Sequence, residues 1–380
     1  MRVEEGQELR TDSSDETPGT HFIVGSYSPA GCAGIRRYRL DVMTGEYSLL
    51  RESAAVPFPT YLARIGRTGV VHAVSETTGS DRAAPGTAQE QTGRAGTVWW
   101  VRLDDRGGAG QAEWRASGGD LPTHLAVHPR HRWLVVSNYG CAPGAGRVVV
   151  FPIEESGRLG EPTASVVHGG RGPVADRQST AHVHSTVFTA DGSALIAADL
   201  GADALVVYDF DADSGTLTRA GTHRTRPGWG PRYLHWSPDG GTLFVVGELA
   251  AELGAFAWAH QTRSLEPLSS IATSRTDRGV LPSDLHLSGD GRLMYVANRG
   301  AIDAIAVVAC SDPTQMELLA ESPSYGRWPR HFALAQSGRT MVVANQHSDE
   351  IAVLRIGADG VPGAPVAHID HPAPSFVAFV

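Results

Sequence analysis

A chain of 380 residues, 41% hydrophobic and 19% charged, is globular in composition but long for one ordinary core, which stops growing near roughly 250–300 residues. The formal net charge of −9 at pH 7 excludes a general nucleic-acid or anionic-membrane surface, because both partners need a basic face. The 44 glycines and 23 prolines, without a collagen-like period, fit many short strands joined by tight turns.

Residues 1–20 are polar and acidic, with Asp12, Ser13, Ser14, Asp15 and Glu16 in a row, and read as a disordered tail rather than a signal peptide. No apolar run anywhere approaches the roughly eighteen residues needed to span a bilayer. Next come three β-rich segments: HFIVGSY from His21, GIRRYRLD from Gly34 and GEYSLL from Gly45. A recurring unit then begins. It opens on PTYLAR at Pro59 and returns as PTHLAV at Pro122, VHSTVF at Val183, PRYLHW at Pro231, PSDLHL at Pro282 and PRHFAL at Pro329. After a turn, each unit has a second apolar run ending on Glu76, Asn138, Asp199, Glu248, Asn298 or Asn345, and then further β-rich runs such as RVVVFPI and EIAVLRI. Alternating apolar and β-branched residues bounded by Gly, Asp and Pro predict strands throughout.

A seventh unit exists only in pieces. PSFVAF at Pro374 matches a first strand with nothing after it, and the segments from His21 supply the strands that lack one. Joining them completes a four-stranded blade and removes two open sheet edges. The prediction is all-β: one seven-bladed β-propeller over residues 21–380, its last blade closed by N-terminal strands plus the C-terminal strand. A sandwich array or open solenoid is the alternative, but a solenoid carries capping units rather than a half-unit at each end.

Two inserts interrupt the repeat. Residues 77–97, rich in Gly, Thr and Ala, read as a surface loop; residues 162–182 hold Arg171, Pro173, Asp176, Arg177 and Gln178 and are the better candidate for a function. The cysteines, Cys32, Cys141 and Cys310, are odd in number and widely spaced, which predicts a reduced, cytoplasmic chain.

Antiparallel pairing puts the start of each first strand and the end of each second strand on one rim. The slot after each unit's leading residue reads Thr60, Thr123, His184, Arg232, Ser283, Arg330 and Ser375; the second-strand ends add Asn138, Glu248, Arg299, Asn345 and Gln346. One mouth thus gathers His184, Arg232, Glu248, Arg299 and Arg330, and several guanidinium forks beside one carboxylate suit an anion. Asn138, Asp199 and Asn298 have a competing reading as strand-end turn residues that satisfy backbone groups. His182 and His184, two residues apart, raise the idea of a shared metal, but no carboxylate or cysteine falls at an obvious ligand spacing and no metal is assigned.

VGSY at Val24, SNYG at Ser137, HVHS at His182, GPRYL at Gly230, GEL at Gly247, ANRG at Ala297, WPRHFA at Trp328 and ANQ at Ala344 give the chain, from His21 onward, a resemblance to the bacterial β-propeller lactonase family. That family includes propeller-type 6-phosphogluconolactonases and the related fungal carboxy-cis,cis-muconate cyclases. Residue by residue, the resemblance implies a catalytic set of His184, Arg232, Glu248 and Arg299. Tyr233, Gly247 and His331 stand where the family usually has His, Asn and Asn, changes able to re-aim the pocket.

The resemblance implies a lactone hydrolase of carbohydrate metabolism, in the pentose phosphate pathway, acting on a small anionic lactone such as 6-phosphogluconolactone. Ring opening needs an activated water and charge stabilisation for the oxyanion, and no cofactor. His184, with an ordinary pKa near 6.5, is expected to be the base. Arg232 and Arg299 hold the anion and oxyanion, while Glu248 orients an arginine or the water, or protonates the leaving oxygen. Arg330, His182, Arg177, Asn138, Asn345 and Gln346 are expected to bind substrate. Lactone-forming cyclisation and a non-catalytic scaffold are the rival readings; the sequence leaves the oligomeric state open.

Overall fold

Strands alternate with tight turns through the described residues of the computed structural model, which are 20–29, 31–53, 55–64, 69–77, 96–103, 112–140, 145–276 and 278–380. They form seven antiparallel four-stranded sheets. Blades 1 to 7 have as inner strands Pro59–Arg64, Pro122–Val127, Val183–Phe188, Pro231–Trp236, Val280–Leu287, Pro329–Leu334 and Pro374–Phe379. In blade 7 that C-terminal strand pairs with Thr20–Ser26, which continues through Ile35–Leu40 to Tyr47–Ser53. The two chain ends close the ring as the split repeat predicts.

Some boundaries move. Blade 5's inner strand begins two residues before Pro282, and second strands end at Ser75 and Gly247, so Glu76 and Glu248 stand one residue beyond theirs. Thr20, placed in the tail by sequence, already opens a strand. Residues 1–19, most of the 77–97 insert and Cys141 lie outside the described residues, while Cys32 and Cys310 are free thiols.

Both faces of a blade are covered by its neighbours, so second strands read as apolar runs rather than alternations; Leu195, Ile196, Ala197 and Ala198 are all fully buried. Seven apolar clusters fill the seven blade-to-blade seams. At the seam of blades 3 and 4, for example, Ile196, Leu205 and Val207 pack on Leu234, Val245 and Phe256.

Every inner strand carries a β-bulge at the same place. Pairing slips at Thr60, Thr123, His184, Arg232, Ser283, Arg330 and Ser375, leaving each as the extra residue against its second strand. A bulge bends the strand and re-aims a side chain. Three of the four small residues in this slot tie blades together: Thr123 Oγ1 donates to the His184 carbonyl at 2.9 Å, Ser283 Oγ to the Pro329 carbonyl at 2.6 Å and Ser375 Oγ to the Thr60 carbonyl at 3.1 Å. The large ones, His184, Arg232 and Arg330, are left to face the channel mouth.

Candidate active site

Glu248, 1% exposed, is the centre of the mouth. Arg177 Nη2 lies 2.6 Å from its Oε1; Arg232 Nε and Arg299 Nη2 lie 2.6 and 3.4 Å from its Oε2. Burial alone would raise the carboxyl pKa, but Arg299, Arg232 and Arg177 overcome it and pull the value to about 2. Glu248 is therefore ionised at neutral pH. An ionised carboxylate suits the expectation that it orients an arginine or the water better than the expectation that it protonates a leaving oxygen.

The third arginine on Glu248 is Arg177, not Arg330. It comes from the 162–182 insert, on the short helix Ala175–Gln178, which Gln178 fastens by donating Nε2 to Asp203 at 2.7 Å and to the Leu200 carbonyl at 2.8 Å. Arg330 instead meets Tyr27 and Glu76. Tyr27 donates to Glu76, and burial keeps its phenol far above the ordinary tyrosine range. Sequence reasoning had noted Glu76 as a strand end and passed over Tyr27, although VGSY was a recognisable segment. Four guanidinium groups, Arg177, Arg232, Arg299 and Arg330, thus face two carboxylates, Glu248 and Glu76.

Aromatic rings support the cations. Arg232 lies over Tyr233 at 5.1 Å, Arg299 over Trp328 at 5.0 Å and Arg330 over Tyr27 at 4.9 Å. Trp328 holds a φ of 65°, a costly left-handed conformation for a bulky residue, at the entry to its inner strand. Gly247 has a packing reason: a Cβ there would sit 2.6 Å from the Trp229 ring.

His184 is 6% exposed, with Tyr139 at 5.9 Å and Tyr233 at 5.8 Å between ring centroids, and its Nδ1 has no partner among the described residues. Burial, then Arg232, Arg330, Arg299 and His124, hold its pKa well below 6.5. It is a neutral imidazole at physiological pH. The same shell leaves Nη1 of Arg232, and Nε and Nη1 of Arg299, buried without acceptors among the described residues. Burial and Arg232 lower Arg299 to about 9, which keeps it cationic at neutrality.

His182 stacks on Tyr139 at 4.1 Å, its Nδ1 donates to the Tyr139 carbonyl at 3.0 Å, and its backbone N–H reaches Asp199 at 2.8 Å. Asp199 is in turn bound by His168 Nδ1 at 2.9 Å, so it serves structure, as one of its two readings held. Gln346 opens the short 3-10 turn Gln346–Ser348, its Oε1 buried without a partner among the described residues.

Asn138 and Asn345, expected from the sequence to bind substrate, also serve the joints between blades, and Asn345 Oδ1 is left without a partner among the described residues. Both are fully buried, and their amides bind the preceding blade: Asn138 Nδ2 donates to the Ser117 carbonyl at 3.3 Å and Ser117 Oγ donates back at 2.6 Å, while Asn345 Nδ2 donates to Ser324 at 3.0 Å. Asn298 makes the same latch with Thr273. Asn138→Ala is expected to cost about 1–3 kcal/mol of stability by stranding buried groups, with turnover nearly unchanged. Chemical denaturation and steady-state kinetics on the one variant check both halves; a loss of turnover without a loss of stability would return Asn138 to the site.

A ring of blades with a charged mouth, buried unspent guanidinium donors and a neutral imidazole defines the chain as a seven-bladed propeller with a polar site at one end of its channel. The family described as Lactonase, 7-bladed beta-propeller matches residues 21–379, and the chain belongs to it. It is 28% identical over 334 residues to the 6-phosphogluconolactonase of Bacillus subtilis, covering 87% of this chain and 89% of that one. It is 26% identical to the 6-phosphogluconolactonase of Formosa agariphila, covering 90% of each. The periplasmic gluconolactonase of Pseudomonas aeruginosa superposes with a TM-score of 0.84 at 28% identity, covering 95% of this chain and 99% of that one.

Proposed function

We propose that this protein hydrolyses a small anionic lactone, a sugar-acid lactone such as 6-phosphogluconolactone, using His184 as general base toward water. The observation that carries the reading is the unspent hydrogen-bonding capacity of one buried spot: free N–H donors on Arg232 and Arg299 beside an imidazole nitrogen without a partner. Preorganised donors aimed where negative charge develops are a large source of rate in a site closed to water. His184 takes the proton from water as its oxygen adds to the lactone carbonyl. Arg232 and Arg299 hold the oxyanion and the substrate's own anionic group; Glu248, already ionised, keeps their forks in place. Arg330 and Arg177 add positive field at the rim, and His182 supports the loop that presents His184. The widely spaced cysteines favour a cytoplasmic location.

The test is a rate comparison on 6-phosphogluconolactone, gluconolactone and a muconolactone against a no-enzyme control, since gluconolactones open spontaneously. Acceleration greatest on the phosphorylated lactone is expected; none on any lactone would sink the proposal, and action on the muconolactone alone would favour the cyclase chemistry. Arg299→Ala should lower kcat/KM on the phosphorylated lactone by about 10- to 150-fold, the equivalent of roughly 1.5–3 kcal/mol for a charge-assisted contact, and much less on the neutral one. Equal losses on both would take the reading of the anion away from Arg299.

A further inference from the structure

Below the bulge, the inner strands carry a second layer of rings and polar groups, of which Tyr233 also supports Arg232 in the mouth. Tyr61 crosses the channel there, with ring centroids 4.5 Å from His124, 6.2 Å from Tyr233, 5.9 Å from His331 and 4.6 Å from Phe376. Beyond it a cavity of about 410 Å³ opens toward the face opposite the arginines, with Asp284, His286 and His331 in its wall. Asp284 is 1% exposed, and its ion-pair partners among the described residues are histidines rather than arginines. Its Oδ1 accepts from Leu285 N at 2.9 Å and its Oδ2 from Phe332 N at 3.1 Å, which fixes the carboxylate plane. Onto that same Oδ2 converge His286 Nε2 at 3.2 Å and His331 Nε2 at 3.6 Å.

We propose that Asp284, His286 and His331 form a binding site for one divalent metal ion of the Zn²⁺, Co²⁺ or Ni²⁺ class, at the end of the channel opposite the arginine mouth. Three ligand atoms, one from each residue, lie within 4.8 Å of one another. Ligands about 2.0–2.2 Å from a tetrahedral ion stand roughly 3.3–3.6 Å apart, and the two His–Asp pairs here, at 3.2 and 3.6 Å, lie close to that spacing. Two imidazoles and a carboxylate are a donor set for borderline ions, whereas calcium and magnesium take oxygen. The backbone N–H groups on Asp284 are the outer support that holds a ligating carboxylate still.

All three residues line the cavity, and His286, whose side chain is 32% exposed, gives the ion a way in. His235 stands next to this wall, its ring 6.1 Å from that of His286. A carbonyl oxygen can only accept, so the 2.8 Å contact of His235 Nδ1 with the Trp236 carbonyl places its proton there and leaves Nε2 with a lone pair. The Val377 N–H donates to His331 Nδ1 at a long 3.5 Å, and ligation through Nε2, which moves the ring proton to Nδ1, gives up that weak contact.

The experiment is a Co²⁺ titration of the full chain after chelator treatment, followed by visible absorption. One Co²⁺ per chain with intense ligand-field bands is expected. His286→Ala and His331→Ala should each weaken uptake by at least about tenfold, with melting temperatures recorded to show that they fold. His286, partly exposed, is the safer of the two, and Asp284→Asn supplies a third. His368→Ala, which breaks an exposed His–Glu pair of 3.1 Å elsewhere, should bind as the parent does. Absence of stoichiometric uptake by the parent, as when Asp284 and His286 share only a proton, overturns the proposal; so does wild-type affinity in a folded His286→Ala or His331→Ala. Neither result depends on any lactone being turned over.

Discussion

His184→Ala is expected to lower turnover of the lactone by on the order of 10²–10⁴, the usual share of general acid–base catalysis, while the fold persists. The side chain sits in the bulge slot, where other blades carry Ser or Thr, so the propeller tolerates a small residue at this position. Its ring also packs less intimately than that of its neighbour: His182 stacks at 4.1 Å on Tyr139, whereas His184 meets only ring edges and tilted faces near 6 Å. His182→Ala is the internal control and should cost distinctly less turnover. Full activity in a folded His184→Ala would remove the base from the mechanism and leave electrostatic stabilisation by the arginines as the whole of it.

The pH profile sharpens the same assignment. A base must be unprotonated to work, so activity falls as pH drops through its pKa. An imidazole of ordinary pKa, as assumed from sequence, would lose half its activity near pH 6.5. Burial and the cations of Arg232, Arg330 and Arg299 hold His184 well below that, so the rate of the parent should stay level through that pH and decline only in more acidic buffer. Glu248, at about 2, contributes no inflection in the neutral range. A midpoint near 6.5 would identify a different, solvated group as the base.

The seven-fold phasing and the split blade were legible because strand periodicity and turn chemistry are local, and each repeat restates them. So was the rim, since antiparallel pairing fixes which ends of two strands meet. What sequence could not supply was the bulge. Without it, two adjacent residues of a strand face opposite sides, and nothing in PRYLHW says that Arg232 enters the mouth while Tyr233 forms the next layer under it. Nor could it separate Asn138 from Glu248. Both mark second-strand ends, but one amide is consumed by Ser117 of the preceding blade and one carboxylate by arginines from three elements. Pairings such as Tyr27 with Glu76 and Arg330 join three different blades across up to 303 residues, and the repeat aligns those positions without saying which side chains meet. The same holds for Asp284, His286 and His331, which belong to two different blades.

Removal of residues 374–380 should unfold the protein, whereas removal of residues 1–18 should leave its melting temperature nearly unchanged. The asymmetry follows from what each end does. Pro374–Phe379 is the inner strand of blade 7, paired with Phe22–Ser26 and packed against the neighbouring blades, with Val377 in the seam to blade 6 and Phe376 in the seam to blade 1. Emptying buried sites of these sizes costs about 3–5 kcal/mol for the phenylalanine and somewhat less for the valine. To that is added the exposure of an inner sheet edge with its unpaired backbone groups. The sum reaches the whole stability of a typical domain, about 5–15 kcal/mol. Residues 1–18 precede the first described strand, which begins at Thr20, so every strand pairing found among the described residues is kept. The measurement is thermal unfolding of the two truncations beside the parent. A C-terminal truncation that melts like the parent would mean that the ring does not depend on joining its two ends.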